Sequence, residues 1–459
     1  MRPQRWTGLI LVAPLGFLLW GCFLIYHRAS PYAVIASQLP NERAAAKRED
    51  VPMTREDMLR IPPVENARNA APLYREVSDA MQKLPYTAWD SVRPLLLNQA
   101  TDQDRKQVRW LLEQCRKVLE QAEKAALLPD CDFQPDWKQG VTLAFPEYAS
   151  LRQVVRLFSA RAILIGEDNQ PQEALRSLLI AARIARHIGQ GPCTASLQTA
   201  LNLENSIERP LIRIVQRYGA RMEVLQQARE VEEILDTPLD IGRALRGDCV
   251  LRFQTLARLR SNDSASLTNG FPPPYPQHAS HQVALDAWEV RCIAYWRRLF
   301  SRIRQVAGDD EEVYRAVKAV NEEEQLALLN EKQRINPSYE LNLPLEPDYT
   351  ETAQQRVFFE AKHRLRRTQL TLFADRIRIG RFPDHLEQLP VPPEVDPFAH
   401  QPLHYRKTET GFLLYSVGVN LADDNGDGVP RSLGSYPPDI AITYPAPKQG
   451  IFRAPRAIK

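Results

Sequence analysis

The chain has almost no excess of charge of either sign. Its 59 Lys and Arg residues nearly balance 56 Asp and Glu residues, which leaves a formal net charge of +3. A protein that binds nucleic acid through its overall charge carries a much larger basic surplus. The composition therefore predicts no nucleic-acid partner. With 459 residues, the chain is long enough for several domains and a substantial core.

Cysteines are few and lack regular spacing. The chain has 6 of them, and none forms a C-x-x-C pair. This is not the framework of a disulfide-rich domain. Cys22 lies in an apolar N-terminal run, and the others are Cys115, Cys131, Cys193, Cys249 and Cys292. We interpret these five as buried apolar side chains, with one or two bridges as the alternative if this part is exported.

Catalytic motifs are missing as well. The sequence contains no H-E-x-x-H, no G-x-S-x-G, no phosphate-binding G-x-x-x-x-G-K-[ST] and no G-x-G-x-x-G after a strand. Four histidines near the C-terminus match no zinc spacing, and we assign them surface or packing roles: His363, His385, His400 and His404. We predict that the protein is not an enzyme. The alternative is an exported enzyme with an unrecognised site in the helical domain near Trp288 and Trp296.

An uninterrupted apolar stretch does occur at the N-terminus. No Asp, Glu, Lys or Arg lies between Arg5 and Arg28, a span that suffices for a transmembrane helix. The flanking charges favour an N-terminus inside the cell. Residues 1–28 are thus predicted to be a signal-anchor that crosses the inner membrane once, with the bulk extracytoplasmic or periplasmic. A cleaved signal peptide ending at Ala36 and a lipoprotein acylated at Cys22 are the alternatives.

The middle of the chain has helical periodicity. Residues 29–65 contain several prolines and no sustained period, which predicts a linker near the membrane, and 66–335 predict an all-α domain. Within it, an apolar stripe over Leu151–Ile165, a loop and Pro171 at a helix start indicate an antiparallel hairpin. Residues 336–352 are predicted to be a second linker. The helix predicted over 353–379 carries a basic face that we interpret as solvated: Lys362, Arg364, Arg366, Arg367, Arg376, Arg378 and Arg381.

Turn and strand signals are concentrated near the C-terminus. Gly380, followed by Pro383, stops the long helix. Three short strands are predicted over Leu403–Arg406, Phe412–Val417 and Ile440–Tyr444. These elements predict a small α+β domain with a short antiparallel sheet over residues 353–445, followed by a tail over 446–459.

An acidic loop separates the second and third strands. Asp423, Asn425 and Asp427 stand at alternate positions and Gly428 follows, which is the first half of an EF-hand pattern. The twelfth position lacks the Glu that would complete it, so a calcium ion would need another carboxylate, for which Asp439 is the candidate. A solvated Asp/Asn/Gly turn that binds nothing is the alternative.

This C-terminal region resembles the C-terminal half of the major pseudopilins of type II secretion systems. The matching residues are Gly380, Phe382, Pro383, Leu386, Leu389, Asp396, Pro397, Pro402, Tyr405, Ser416, Gly418, Asp439 and Ile440. In that family the loop after S-x-G binds calcium. The first loop Asp of the family falls near Asn420, so the resemblance implies that Asp423, Asp424 and Asp427 take its place. Pseudopilins begin with a short basic leader and a hydrophobic helix that carries a Glu near its start, whereas the first acidic residue here is Glu42. A long helical region is also expected to precede the head.

Together these features predict a mainly α protein with a transmembrane helix, an all-α domain and a pseudopilin-like head. We expect a membrane-anchored structural or interaction protein whose helical platform and head contact an envelope or secretion-assembly partner. Calcium, if bound by Asp423, Asp424, Asn425, Asp427 and Asp439, would be structural. A pseudopilin-like secretion component is a further alternative. The sequence identifies no small-molecule ligand.

Overall fold

The computed structural model describes residues 31–58, 64–83, 86–261, 281–306, 310–334, 348–431 and 435–445. Most of these residues are helical, and a three-stranded antiparallel sheet lies near the C-terminus. The mainly α architecture and the small sheet are thus confirmed. The first helices are α1 Pro31–Ala36, α2 Leu39–Arg48, α3 Ala71–Met81, α4 Val92–Leu96, α5 Asp102–Gln114, α6 Arg116–Ala126 and α7 Pro146–Glu167. Those that follow are α8 Pro171–Gly189, α9 Thr194–Tyr218, α10 Met222–Leu235, α11 Ile241–Arg260, α12 His281–Gln305, α13 Asp310–Arg334 and α14 Thr350–Ile379. The strands are β1 His404–Lys407, β2 Phe412–Ser416 and β3 Ile440–Tyr444.

The membrane prediction is corrected by the structure. Within the described ranges, no helix is both long enough and apolar enough to cross a bilayer. This finding contradicts three predictions, namely the transmembrane helix, the attachment to a membrane by a single-pass anchor and the location in the inner membrane. These predictions are withdrawn. The predicted anchor itself, residues 1–28, lies outside the described residues.

Local signals account for several helix ends. Thr101 and Asp104 form a reciprocal capping box that starts α5, and Pro171 occupies the first turn of α8. Gly380 ends α14 in the left-handed conformation at φ 80°, which a residue with a Cβ adopts less easily. Helices α5 and α6 meet at Cys115, which caps the end of the first and the start of the second.

The region expected to be a membrane-proximal linker contains packed helices. Helices α1 and α2 lie against α12, and Leu39, Ala46 and Val51 are buried in the main core. Arg43 of α2 also makes a two-point ion pair with buried Glu289 of α12. The weak periodicity of the segment gave no sign of stable helices. Burial of these side chains against α12 stabilises them instead.

The longest described helix, α14, joins the helical part to the sheet. It packs against α9, α10 and α13, and also against β2 and β3. The sheet has the order β1-β2-β3, with Tyr405 opposite Leu414 and Phe412 opposite Tyr444. Phe373 of α14 contacts the rings of Phe412 and Tyr444, with centroids 6.2 and 4.9 Å away. One hydrophobic core therefore continues from α2 to β3.

A candidate binding cavity beside a buried charge network

A group of charged side chains lies where α8, α9, α10 and α14 meet. We call it the buried charge network, and its members are Arg186, Glu204, Glu208, Glu232, Lys362, His363 and Arg366. Glu204 and Glu208 are one turn apart on α9, and Lys362 and Arg366 are one turn apart on α14, so each pair points from one face of its helix. Charges this deep are tolerated only when they are paired and hydrogen-bonded.

Arg366 holds three helices together. Its guanidinium makes a two-point contact with Glu232, at 2.5 Å from Nε to Oε2 and 3.1 Å from Nη2 to Oε1. Nη1 donates to Oε1 of Glu208 at 3.0 Å. Burial lowers the pKa of Arg366, but the carboxylates of Glu232 and Glu208 outweigh burial and the net pKa is raised. The planar, permanently charged guanidinium suits this forked geometry.

Glu204 is held between two cations. Its Oε1 lies 2.9 Å from Nη2 of Arg186, and its Oε2 lies 3.2 Å from Nε2 of His363. Burial raises the pKa of Glu204, but the charges of Arg186 and His363 overcome it and bring the pKa to about 2. Glu204 is therefore a carboxylate at neutral pH.

His363 lies between two carboxylates and has no exposed surface. Its Nδ1 is 2.7 Å from Oε1 of Glu232, and its Nε2 faces Glu204. Burial and the neighbouring Arg366 lower the pKa of His363, whereas Glu204 and Glu232 raise it, and the net pKa is raised. Both ring nitrogens therefore lie beside a carboxylate oxygen, and these two negative charges favour the protonated ring. Arg366 Nη2 approaches Nδ1 to 2.6 Å, a contact that Glu232 stabilises by accepting from both groups.

A cavity of about 620 Å³ lies next to this network, between α10, α14 and residues 389–395. We call it the α10–α14 cavity. Its lining residues are Arg229, Glu232, Glu233, Asp236, Arg364, Arg367, Thr368, Leu370, Thr371, Leu389, Val391, Pro392, Pro393, Glu394 and Val395. Glu232 thus belongs both to the network and to the cavity wall.

Ion pairs fix the cavity walls relative to one another. Arg367 of α14 bonds both oxygens of Glu394, at 2.9 and 3.2 Å, and its Nη1 donates to Asp236, the C-cap of α10. Arg364 donates from Nε to Glu360 and from Nη1 to the carbonyl oxygen of Val395, both at 2.7 Å. These contacts attach the proline-containing segment to α14 and to α10.

The rest of the wall contains exposed apolar and charged side chains. Val391 is 49% exposed and Val395 is 42% exposed, while Leu389 is buried. Arg229 and Glu233 are exposed and one turn apart on α10. Within the described part of the chain, their side chains have no hydrogen-bond or ion-pair partner. The cavity therefore combines an apolar wall with charged groups that remain available.

The acidic loop predicted to bind calcium is folded around Asp439. This side chain is fully buried and accepts hydrogen bonds from the backbone N–H of Gly426, at 2.6 Å, and of Asp424, at 3.4 Å. Burial raises the pKa of Asp439, the two N–H donors lower it, and the net pKa is raised. Asn425 and Gly426 have positive φ values of 60° and 83°, which turn the loop back toward β3.

The other loop oxygens also accept hydrogen bonds. Oδ1 of Asp423 accepts from Tyr415 and from the backbone of Asn425, and Asp427 accepts from the backbone of Val429. Asp424 accepts from Asn420 at 2.7 Å. Across the described residues, no group of three or more His, Cys, Asp or Glu side chains is arranged to hold a metal ion. The structure therefore brings the loop and Asp439 together through hydrogen bonds that backbone N–H groups of the loop donate to the Asp439 carboxylate.

Calcium binding by this loop stays a prediction. It is tested by titrating the full chain with calcium chloride and measuring the melting temperature, which should rise if the ion binds the folded state. Asp427→Asn should remove the rise. An unchanged melting temperature at millimolar calcium would contradict the prediction.

The alternative enzyme site was expected near Trp288 and Trp296. Both indoles are buried in the core. Trp296 contacts the rings of Tyr295, Phe300 and Tyr349, with centroids 5.3 to 5.6 Å away. Both tryptophans are therefore part of the hydrophobic core, and the cavity with available charged groups lies beside α10 and α14.

The buried charge network was not identified from the sequence. The basic face of α14 was expected to be solvated, but Arg366 is only 2% exposed. His363, for which a surface or packing role was expected, is 0% exposed. One signal was present: Glu204 and Glu208 interrupt the apolar stripe of α9, one turn apart, and Lys362 and Arg366 have the same spacing on α14. That pattern indicates charge pairing between two helices, although it does not specify which helices meet.

No protein-family model, curated protein or solved structure matches this chain. The resemblance of residues 380–440 to pseudopilins therefore stays a prediction.

Proposed function

We propose that this chain is a non-enzymatic interaction protein that binds a partner polypeptide in the α10–α14 cavity. One observation carries the proposal. Arg367 joins Asp236, the C-cap of α10, to Glu394 of the segment that precedes the sheet, so the cavity has walls from both the helical part and the sheet-containing part of the molecule. A cavity whose walls are held in place binds with little loss of conformational entropy.

The charge network supports a positioning role over a catalytic one. General acids and bases require groups that exchange protons near neutral pH and reach the substrate. The pKa of Glu204 is about 2, and the pKa of Glu208 is also lowered, because Lys362 and Arg366 outweigh its burial. His363 is fully buried. These groups are suited to fixing α14, and with it the sheet, against α9 and α10.

The resemblance of the C-terminal region to pseudopilins is in keeping with the same class of function. Members of that family are fibre subunits, which act through contacts between proteins. In this chain the corresponding region supplies one wall of the cavity, through residues 389–395.

The proposal is tested by a photo-reactive residue in place of Val391, in the full chain expressed in its own cells. Val429 is equally exposed, at 49%, and does not line the cavity, so the same residue at position 429 is the matched control. We expect a covalent adduct with one polypeptide from position 391 and none from 429. Equal labelling from both positions, or no adduct from 391, would contradict the proposal. A small molecule retained by the purified chain in native mass spectrometry would favour the enzyme alternative.

A further inference from the structure

The α10–α14 cavity has features that specify the chemistry of its occupant. We propose that it binds an extended peptide segment that carries a basic side chain next to an apolar one. This inference rests on the proposed function and names the class of partner. The basic side chain would face Glu233 and Glu394, and the apolar side chain would pack on Val391.

The charge balance of the cavity favours a cationic group. Arg367 supplies one positive charge and lies within hydrogen-bonding distance of two carboxylates, Asp236 and Glu394. Its pKa is raised, because Glu394 and Asp236 outweigh its burial. The three side chains together retain one negative charge. Arg364 does not neutralise that charge, since it is paired with Glu360 at 2.7 Å.

The α10 side of the cavity adds a carboxylate and a donor. Glu233 is exposed and has no partner in the described part of the chain, so it is free to pair with an incoming Lys or Arg. Arg229, one turn earlier, presents a guanidinium with several N–H donors. Those donors suit the carbonyl oxygens of an extended peptide backbone. Arg229 and Glu233 together therefore fit a ligand that has both a cationic side chain and exposed carbonyl groups.

The opposite wall fits an apolar side chain. Leu389, Val391 and Pro392 offer aliphatic surface beside the charged groups. Pro392 and Pro393 have no backbone N–H, so this segment cannot receive a peptide by continuous β-strand addition. Recognition must therefore come from side-chain contacts. The volume of about 620 Å³ lies within the range of about 300–1,000 Å³ that is typical of ligand pockets, which suits a few residues and not a folded domain.

Two blocked tetrapeptides test the inference, acetyl-Ala-Leu-Lys-Ala-amide and acetyl-Ala-Leu-Glu-Ala-amide. Binding to the full chain is measured by ligand-observed NMR at low salt. We expect the Lys peptide to bind about tenfold more tightly than the Glu peptide. We also expect the preference to shrink at high salt, because exposed ion pairs are screened.

Matched variants locate the site. Glu233→Gln should weaken binding of the Lys peptide about threefold, as expected for one exposed ion pair, and leave the Glu peptide no weaker. Glu230→Gln is the control, since Glu230 is exposed on the same helix but does not line the cavity. Val391→Ser should weaken both peptides, whereas Val429→Ser should weaken neither.

Several outcomes would overturn the inference. Equal binding of both peptides, binding of neither, or a Lys preference unaffected by Glu233→Gln would each do so. A dimer in sedimentation velocity that Val391→Ser dissociates would show a second copy of the chain to be the occupant. A photo-adduct at position 391 that maps to an acidic partner segment would reject the basic peptide while leaving the proposed function intact. Absence of any adduct would reject the proposed function itself.

Discussion

Arg366 is the residue whose removal should destabilise the fold most within the buried charge network. Arg366→Met leaves Glu232 and Glu208 buried without their shared cation, which typically lowers the free energy of unfolding by about 3–5 kcal/mol. Urea denaturation followed by circular dichroism measures the change. Arg116→Met is the control, because Arg116 pairs with Glu113 at the surface, where both side chains are more than 60% exposed. A loss below about 1 kcal/mol for Arg366→Met would show that the network contributes little to stability.

Asp248 should make the stability depend on pH. Burial raises its pKa to about 6 from 3.8, against the opposing hydrogen bonds from Thr194, which donates from its backbone and its hydroxyl. Because the pKa of Asp248 is higher in the folded chain than in the unfolded chain, protonation of Asp248 stabilises the fold. This stabilisation is complete below pH 3.8 and is lost as the pH rises through about 6.

The wild-type chain should therefore gain about 1 kcal/mol relative to Asp248→Asn between pH 7.5 and pH 5. Asn retains an oxygen that accepts from Thr194, so the variant should fold. Urea denaturation of both proteins at the two pH values measures the difference between their free energies of unfolding. Taking this difference removes the contributions of other titrating groups, which both proteins share. A constant difference between the two pH values would contradict the assignment.

At the scale of single elements, the sequence predicts helix α14 and the strands well because their signals are local. The left-handed Gly380 and the nearby Pro383 end the helix where the pattern indicates, and β3 has the predicted bounds. The roles of the basic residues on α14 depend instead on which helices it meets. Arg366 and Arg364 look alike in sequence, yet the first is buried against α9 and α10 while the second holds residue 395.

The packed helices of residues 31–48 also could not be predicted from local sequence signals. Leu39 and Ala46 become core residues only because α12 lies against them. A short, proline-containing stretch without strong periodicity gives no local sign of that contact. The cavity is unpredictable for a similar reason, since its walls come from separate segments that Arg367 brings together.

The turn at Asp396 should be important for the sheet. Its Oδ1 accepts from the backbone of Phe398 and from the hydroxyl of Ser416, and its Oδ2 accepts from the backbone of Val417, all at 2.9 Å. Asp396→Asn places an NH₂ group opposite at least one of these donors. We expect the free energy of unfolding to fall by about 1–3 kcal/mol.

Thermal and urea denaturation measure the effect of Asp396→Asn. Asp384→Asn is a suitable comparison, since its carboxylate is half exposed and pairs with Lys407 at the surface. Equal effects of the two substitutions would indicate that the buried turn has no special role.

At the scale of the whole molecule, the continuous core predicts cooperative unfolding. Helix α14 contributes buried side chains both to the helical packing and to the sheet, so neither part retains its full core without the other. In native-state hydrogen exchange, the slowest amides of α8 and β2 should exchange with the same free energy of opening. Arg366→Met should lower both values equally. Exchange of β2 at a much lower free energy, unaffected by Arg366→Met, would identify the sheet as a separately unfolding unit.

The five cysteines of the described ranges are buried thiols outside any disulfide bond, at Cys115, Cys131, Cys193, Cys249 and Cys292. Burial raises the pKa of Cys115 and Cys193 to about 11, which suppresses the reactive thiolate while the chain is closed. Alkylation at each of these positions therefore reports how often its surroundings open to solvent. These cysteines thus report local opening of the structure from the α5–α6 junction to α12. Peptide mapping after brief exposure to iodoacetamide would measure that opening at each position without any engineered label.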